Sequence, residues 1–358
     1  MKKQLDFSKI NYETFEETYK HILRMKEEEI ILTIEKLISY EEEKKGVDFE
    51  TLILMFLEHK NDQIRLLVTK YMSKSSDLST IRRIKKIIIN EKKAEIRNQA
   101  INIFGIWISY YVEKNKTKEI KKSLDFGLDF INNSKSDESQ NMMLQSISFI
   151  NNNNKIDKLI MKKYSSKKNE DINSSIISMG NNGNTKWIPL LEDNLDHNYS
   201  VIRTNSCISL SYLGNEEHLD QIKDLLEDEE LETQKAAVLG ISNISGVYAK
   251  SLLEQLRFSS EPEIVQLSKI KLLEIKADEG LDSSDTSESE IEEEEDNLKN
   301  KNISDFDEYN AAEIEGWGSL NPDGTSFIAP DAVDDDIDDP IKSLADYEKP
   351  IDQPRIDD

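Results

Sequence analysis

One cysteine, Cys207, stands among 358 residues, so no intrachain disulfide and no cysteine-based zinc site can form; a reducing compartment is expected. Histidine is scarce too. His21, His59, His197 and His218 are the full set and no two lie within four residues of each other, whereas a metal site on one helix needs pairs at i and i+3 or i+4. No Gly-x-x-x-x-Gly-Lys-Ser/Thr loop, Gly-x-Ser-x-Gly elbow or Gly-x-Gly-x-x-Gly turn occurs, which leaves phosphate cradles and hydrolase nucleophiles without a signal. No catalytic residue, metal or cofactor is therefore expected. Long apolar runs are missing as well: clusters such as Ile87-Ile88-Ile89 are far too short to span a bilayer, and the basic start Met1-Lys2-Lys3 is not followed by a signal-length apolar stretch. A cytoplasmic protein without a membrane contact is expected.

An excess of positive charge is absent from the body of the chain. Residues 277–358 hold 28 acidic and 5 basic residues; the 276 residues before them hold 43 acidic and 41 basic, so the net charge of −25 belongs almost wholly to the C-terminal tail. Nucleic-acid binding needs a basic face that releases counterions from phosphates, and a near-neutral body tethered to a polyanion disfavours it.

What is present is a repeat. An apolar residue followed by Arg, Asn or Gln recurs at Ile64-Arg65, Ile96-Arg97, Ile172-Asn173, Ile202-Arg203 and Thr233-Gln234, with Ser139-Gln140 filling the middle and Ile264-Val265 ending the series, at intervals of 32, 43, 33, 30, 31 and 31. Four residues on come Val68, Ala100, Met143, Ile176, Ser206, Ala237 and Ser268; eight on come Met72, Phe104, Ile147, Gly180, Leu210, Ile241 and Leu272. Such spacing puts apolar or small side chains on one helical face, with Gly180 the exception. Between these helices lie second amphipathic segments: 81–89, 120–131, 156–164, 187–195, 219–226 and 251–256. Each unit thus reads as a helical hairpin, and the 43-residue interval as an inserted loop or longer helices.

The pattern resembles HEAT repeats in the short variant of bilin-lyase-like HEAT proteins, on Asp62-Gln63-Ile64-Arg65 with Val68, Glu95-Ile96-Arg97 with Ala100, and Tyr199-Ser200-Val201-Ile202-Arg203 with Ser206, Leu210 and Leu213-Gly214. The resemblance implies an all-α solenoid of about seven hairpins over 49–276, with the Ile-Arg helices lining a concave side; ahead of it the helical pattern of residues 12–40 reads as an N-terminal cap over 1–48. The family's arginine is kept only at Arg65, Arg97 and Arg203; with Asn173 and Gln234 at the same repeat position these form the expected partner-binding row. A HEAT-like metal-dependent hydroxylase family carries repeated His-Glu dipeptides as iron ligands, and no His-Glu occurs here. An enzyme or chromophore-lyase-like protein using the same groove is the alternative to a non-catalytic protein–protein scaffold.

From residue 277 onward the helix pattern stops, and runs such as Glu292-Glu293-Glu294-Glu295-Asp296 cannot bury enough apolar surface to fold. Two islands break this acidic, largely disordered stretch. One is Trp317-Gly318-Ser319-Leu320, a Pro-Asp-Gly turn, and Thr325-Ser326-Phe327-Ile328, which reads as a hairpin. The other runs from Asp339 to Lys349, a short amphipathic helix presenting Ile341, Leu344 and Tyr347 or Ala345 on one face. These islands are expected to be linear motifs for a protein or peptide partner, or to dock on the solenoid itself.

Overall fold

The computed structural model describes residues 5–44, 46–75 and 79–278, and every regular element among them is a helix. They fall into two compact units divided between Ala100 and Ile101, inside one helix.

The first unit holds α1 (Phe15–Ile22), α2 (Glu27–Glu43), α3 (Glu50–Leu54), α4 (Asp62–Tyr71), α5 (Ser79–Asn90) and the start of α6 (Ala94–Glu113). Its core is aliphatic with aromatic corners: Ile22, Ile30, Ile34, Leu37, Phe49, Leu52 and Phe56 are buried, and Tyr19 meets Phe56 edge-on at 4.7 Å. Asn61 starts α4 by accepting from the backbone N–H groups of Gln63 and Ile64 at 2.8 and 3.3 Å.

The second unit continues with α7 (Thr117–Asn133), α8 (Asp137–Ile147), α9 (Asn154–Tyr164), α10 (Asn169–Asn182), α11 (Ile188–Glu192), α12 (Ser200–Leu213), α13 (Leu219–Asp224), α14 (Leu231–Ile244), α15 (Gly246–Leu256) and α16 (Pro262–Asp278). The even-numbered helices α8 to α16 pack side by side, each on the next, as a first layer, and the odd-numbered helices form the second. The odd-numbered helices each pack on their even-numbered neighbour and touch one another far less. This two-layer stacking of helical hairpins is an α-solenoid of HEAT type. The long interval is taken up by helix rather than loop, since α6 has 20 residues and α7 has 17.

The repeat is more regular than the sequence pattern suggests. At the fourth unit the pair Ile172-Asn173 does not hold the first position: Ile172 is half-buried, and the buried residue is Asp171. Shifted by one, the starts are Ile64, Ile96, Ser139, Asp171, Ile202, Thr233 and Ile264, at intervals of 32, 43, 32, 31, 31 and 31. The fourth residue of that unit becomes Ser175 and the eighth Met179, both buried. Asp171 fits a core position because Lys163, Asn141 and Ser166 reach it at 2.9, 3.0 and 2.9 Å. Burial opposes its ionisation, and these partners nonetheless hold the carboxyl below its ordinary range.

Gly180 then falls at the ninth position, where two first-layer helices touch. A Cβ there would lie 2.7 Å from Ser209 Oγ and 3.2 Å from Ser209 Cα. Gly105 occupies the same position against Ser146, whose Oγ donates to the Ile101 carbonyl at 2.9 Å; Ser209 Oγ likewise donates to the Ile176 carbonyl at 3.1 Å. Small residues here let one helix hydrogen-bond to the backbone of the next.

Candidate functional site

The row expected to face a partner is occupied with the fold. Each long polar side chain just after the first position donates to the carbonyl six residues before it: Arg65 to His59 at 2.8 Å, Arg97 to Glu91 at 3.1 Å, Gln140 to Ser134 at 2.7 Å, Arg203 to His197 at 2.8 Å and Gln234 to Asp228 at 2.6 Å. The accepting residue performs a second task. In all seven units its side chain accepts the backbone N–H two residues on: His59 from Asn61, Glu91 from Lys93, Ser134 from Ser136, Ser166 from Lys168, His197 from Tyr199, Asp228 from Glu230 and Ser259 from Glu261, at 2.9 to 3.2 Å. Two of these acids also bind the arginine of the preceding unit. Glu91 takes Arg65 Nε and Nη2 at 2.9 and 3.2 Å; Asp228 takes Arg203 Nε and Nη2 at 2.7 Å each. Burial works against both carboxylates, and their arginines still hold them below the usual range.

Asn173 belongs to a different contact, its Oδ1 accepting Asn205 Nδ2 at 2.8 Å. The expected tail residues Trp317, Leu320, Phe327, Ile328, Ile341, Leu344 and Tyr347 lie outside the described residues.

Two histidines, His59 and His197, are bound into the loop turns, each accepting a backbone N–H through Nδ1. His218 closes the turn after α12 against Asn215. Among the described residues no group of three His, Cys, Asp or Glu is placed to hold a metal, and no helix is long and apolar enough to cross a membrane. Cys207 is fully buried, which pushes its thiol pKa well up.

The surface left open belongs to the first layer. Ser175 Oγ donates to the Ile160 carbonyl of α9 at 3.1 Å, so the fourth position faces the second layer. At 100° per residue the opposite stripe comprises the residue before the first position and those six and ten after it. Along the stack the last of these reads Phe149, Asn181, Tyr212, Asn243 and Glu274; the sixth reads Gln145, Ile177, Ile208, Leu239 and Ile270. Tyr212 is 39% exposed and Asn243 is exposed, while Ile177 and Ile208 form a nearly buried floor. The amides tie neighbouring helices together, Asn181 Nδ2 donating to the Gln145 carbonyl and Asn243 Nδ2 to Ser211 Oγ, both at 3.1 Å. The leading edge carries Glu138, Glu170, Val201, Glu232 and Glu263.

This stripe runs into a cleft of about 310 Å³, formed where α6, α8 and α10 end and lined by Ser109, Val112, Glu113, Phe149, Asn151, Asn181, Asn182 and Gly183. Gly183 ends α10 in a left-handed conformation, φ +66°, which turns the chain away and opens one wall. Phe149 and Asn181 belong both to the cleft and to the stripe. Its signal in the sequence is the tenth-position row, which becomes visible only after the one-residue shift at Asp171.

No family model and no curated protein matches the sequence. Among solved structures it is similar to the complex of CpcE and CpcF of phycocyanin lyase from a Nostoc species, at 13% identity and a TM-score of 0.44 over 65% of this chain and 90% of that one. It is also similar to Escherichia coli YibA, at 16% and 0.39 over 76% and 99%, and to a designed armadillo repeat protein in complex with peptide (KR)4, at 16% and 0.33 over 54% and 98%. The HEAT-type architecture of this chain stands on its own stacked hairpins.

Proposed function

We propose that the chain is a non-catalytic binding module that holds a protein or peptide partner along the open stripe of α8 to α16, with one partner side chain seated in the cleft. The observation that carries this reading is the coincidence of the cleft with the tenth-position row through Phe149 and Asn181. First-layer helices lie about 8–10 Å apart and an extended chain advances about 3.3 Å per residue. A bound peptide therefore meets a new helix every two to three residues. The exposed amide of Asn243 and the Tyr212 ring suit such a ligand, because the amide can pair with its backbone while the ring supplies area at low entropic cost. The tail islands around Trp317 and Leu344 add a second contact in this reading, and the lone buried cysteine fits a cytoplasmic setting.

The test is a pair of surface substitutions, Tyr212→Glu and Asn243→Arg, in the full chain. The expected result is loss of the partners recovered from cells, with the circular dichroism melt unchanged. Retention of every partner by both variants, together with full retention by a cleft variant such as Asn151→Trp, refutes the reading.

A further inference from the structure

Charge is segregated within the second unit. Residues 114–168 contain twelve lysines and six acids; residues 219–263 contain ten acids and four bases. The lysines collect on the second layer, most clearly on α9. There Ile156 and Ile160 are buried against the first layer, while Lys155, Lys158 and Lys162 stand outward at i, i+3 and i+7 around the 39%-exposed Met161. The other charges of the helix are spoken for, Lys163 by Asp171 at 2.9 Å and Asp157 by Lys186 at 2.6 Å. The three outward lysines have no carboxylate partner among the described residues. Like charges at this spacing repel one another and weaken a helix, so the row is stabilised by whatever anion covers it.

The chain supplies a matching polyanion. Residues 285–296 hold eight acids, no base and a single apolar residue, Ile291, near the middle. Three helix-to-helix steps of about 8–10 Å separate α16 from α10, and one more reaches α9. The thirteen residues from Asp278 to Ile291 span up to about 45 Å when extended, which covers that distance. A tether of this length also keeps the tract at roughly millimolar effective concentration.

We propose that residues 285–296 fold back onto the outward face of α9, setting their carboxylates on Lys155, Lys158 and Lys162 and Ile291 against Met161. The tail then lies on the second layer and leaves the open stripe of the first layer free. It also shields the lysine row from other polyanions, nucleic acid included.

The full chain can be tested directly, because buried Cys207 leaves introduced thiols as the sites that label. Dyes at Lys167→Cys and Ser289→Cys should show efficient energy transfer at 50 mM salt that falls as salt reaches about 0.5 M, where the Debye length has shrunk to a few ångströms. Lys155→Gln, Lys158→Gln and Lys162→Gln together should lower the closed-to-open ratio by about threefold or more at low salt, with helical circular dichroism unchanged. Transfer indifferent to both salt and these substitutions overturns the proposal. So does loss of transfer on neutralising Lys121 and Lys122 of α7 but not the α9 row. A single-stranded oligonucleotide should bind more tightly once Glu292, Glu293, Glu294 and Glu295 are each changed to Gln; equal binding to the parent chain means the row was never covered, and also refutes it.

Discussion

Replacing Arg203 by Met is expected to loosen the contact between α12 and α14 by about 3 kcal/mol. The side chain is 9% exposed and makes two 2.7 Å bonds to Asp228 and one 2.8 Å bond to the His197 carbonyl. Asp228 is 6% exposed, and after the change it keeps the Glu230 N–H at 2.9 Å but loses its cation. Removing one partner of a buried pair costs roughly 3–5 kcal/mol, since the other charge stays buried alone. The surviving N–H bond places the cost at the low end. For a unit of this size that corresponds to a fall in Tm of about 6–12 °C. The proper assay is urea unfolding together with amide exchange resolved along the chain, because stacked repeats can open locally. Exchange should quicken across residues 200–244 and little elsewhere. Arg203→Met with Asp228→Leu should recover half or more of the loss, since no lone charge remains. A single variant within about 0.5 kcal/mol of the parent, or a double variant no better than the single, refutes the reasoning.

Gly180→Ala should cost about 1–3 kcal/mol by forcing α10 and α12 apart at Ser209, and urea midpoints of that variant and of Gly180→Ala with Ser209→Gly, which removes the two closest contacts and should recover part of the loss, check it. Burial lowers the pKa of His59 from its ordinary value of 6.5, with Lys60 and Arg65 acting the same way and Glu27 against them. Its contribution is thus complete above about pH 6.5 and is lost as pH falls, because the unfolded chain takes up the proton first. The urea midpoint should drop between pH 7.5 and 5.5, and His59→Asn, which keeps a loop acceptor, should flatten that step. Cys207 should resist thiol reagents in the folded protein and react at once in urea; rapid reaction of the native chain contradicts its burial.

Helices and their buried faces were legible because apolarity recurs with the helical period. The fourth residues Val68, Ala100, Met143, Ser206, Ala237 and Ser268 are all fully buried, as the spacing requires. The apolar pattern points one residue too far along at Asp171, because a charged residue satisfied by Lys163, Asn141 and Ser166 carries no apolar signal. That offset makes Gly180 look like an exception, when it is a contact point. The loop acceptors were invisible for another reason: His, Glu, Ser and Asp share no composition, only an acceptor atom that can reach the N–H two residues on. Arg65, Arg97, Arg203 and Gln234 looked outward-facing by type, but nothing in the sequence says where their donors go, and the structure spends them on the preceding loop.

The repeat interval of 31 residues has a consequence for how such a chain can change length. Deleting residues 202–232 would bring Thr233 directly after Val201 and put Gln234 six residues beyond His197, where Arg203 stood. Arg203 and Asp228 would leave together, so neither charge would be stranded, and the loop turn of His197 onto Tyr199 would remain intact. A unit can therefore be excised or duplicated as a block with its loop hydrogen bonds and ion pairs left whole, although the bonds of Asn205 to Asn173 and of Ser209 to the Ile176 carbonyl leave with it, since Ala236 and Gly240 take those positions. Insertions that do not begin and end at equivalent positions of two units would separate donors from acceptors, so the array is quantised in length by its loop chemistry as much as by its apolar core.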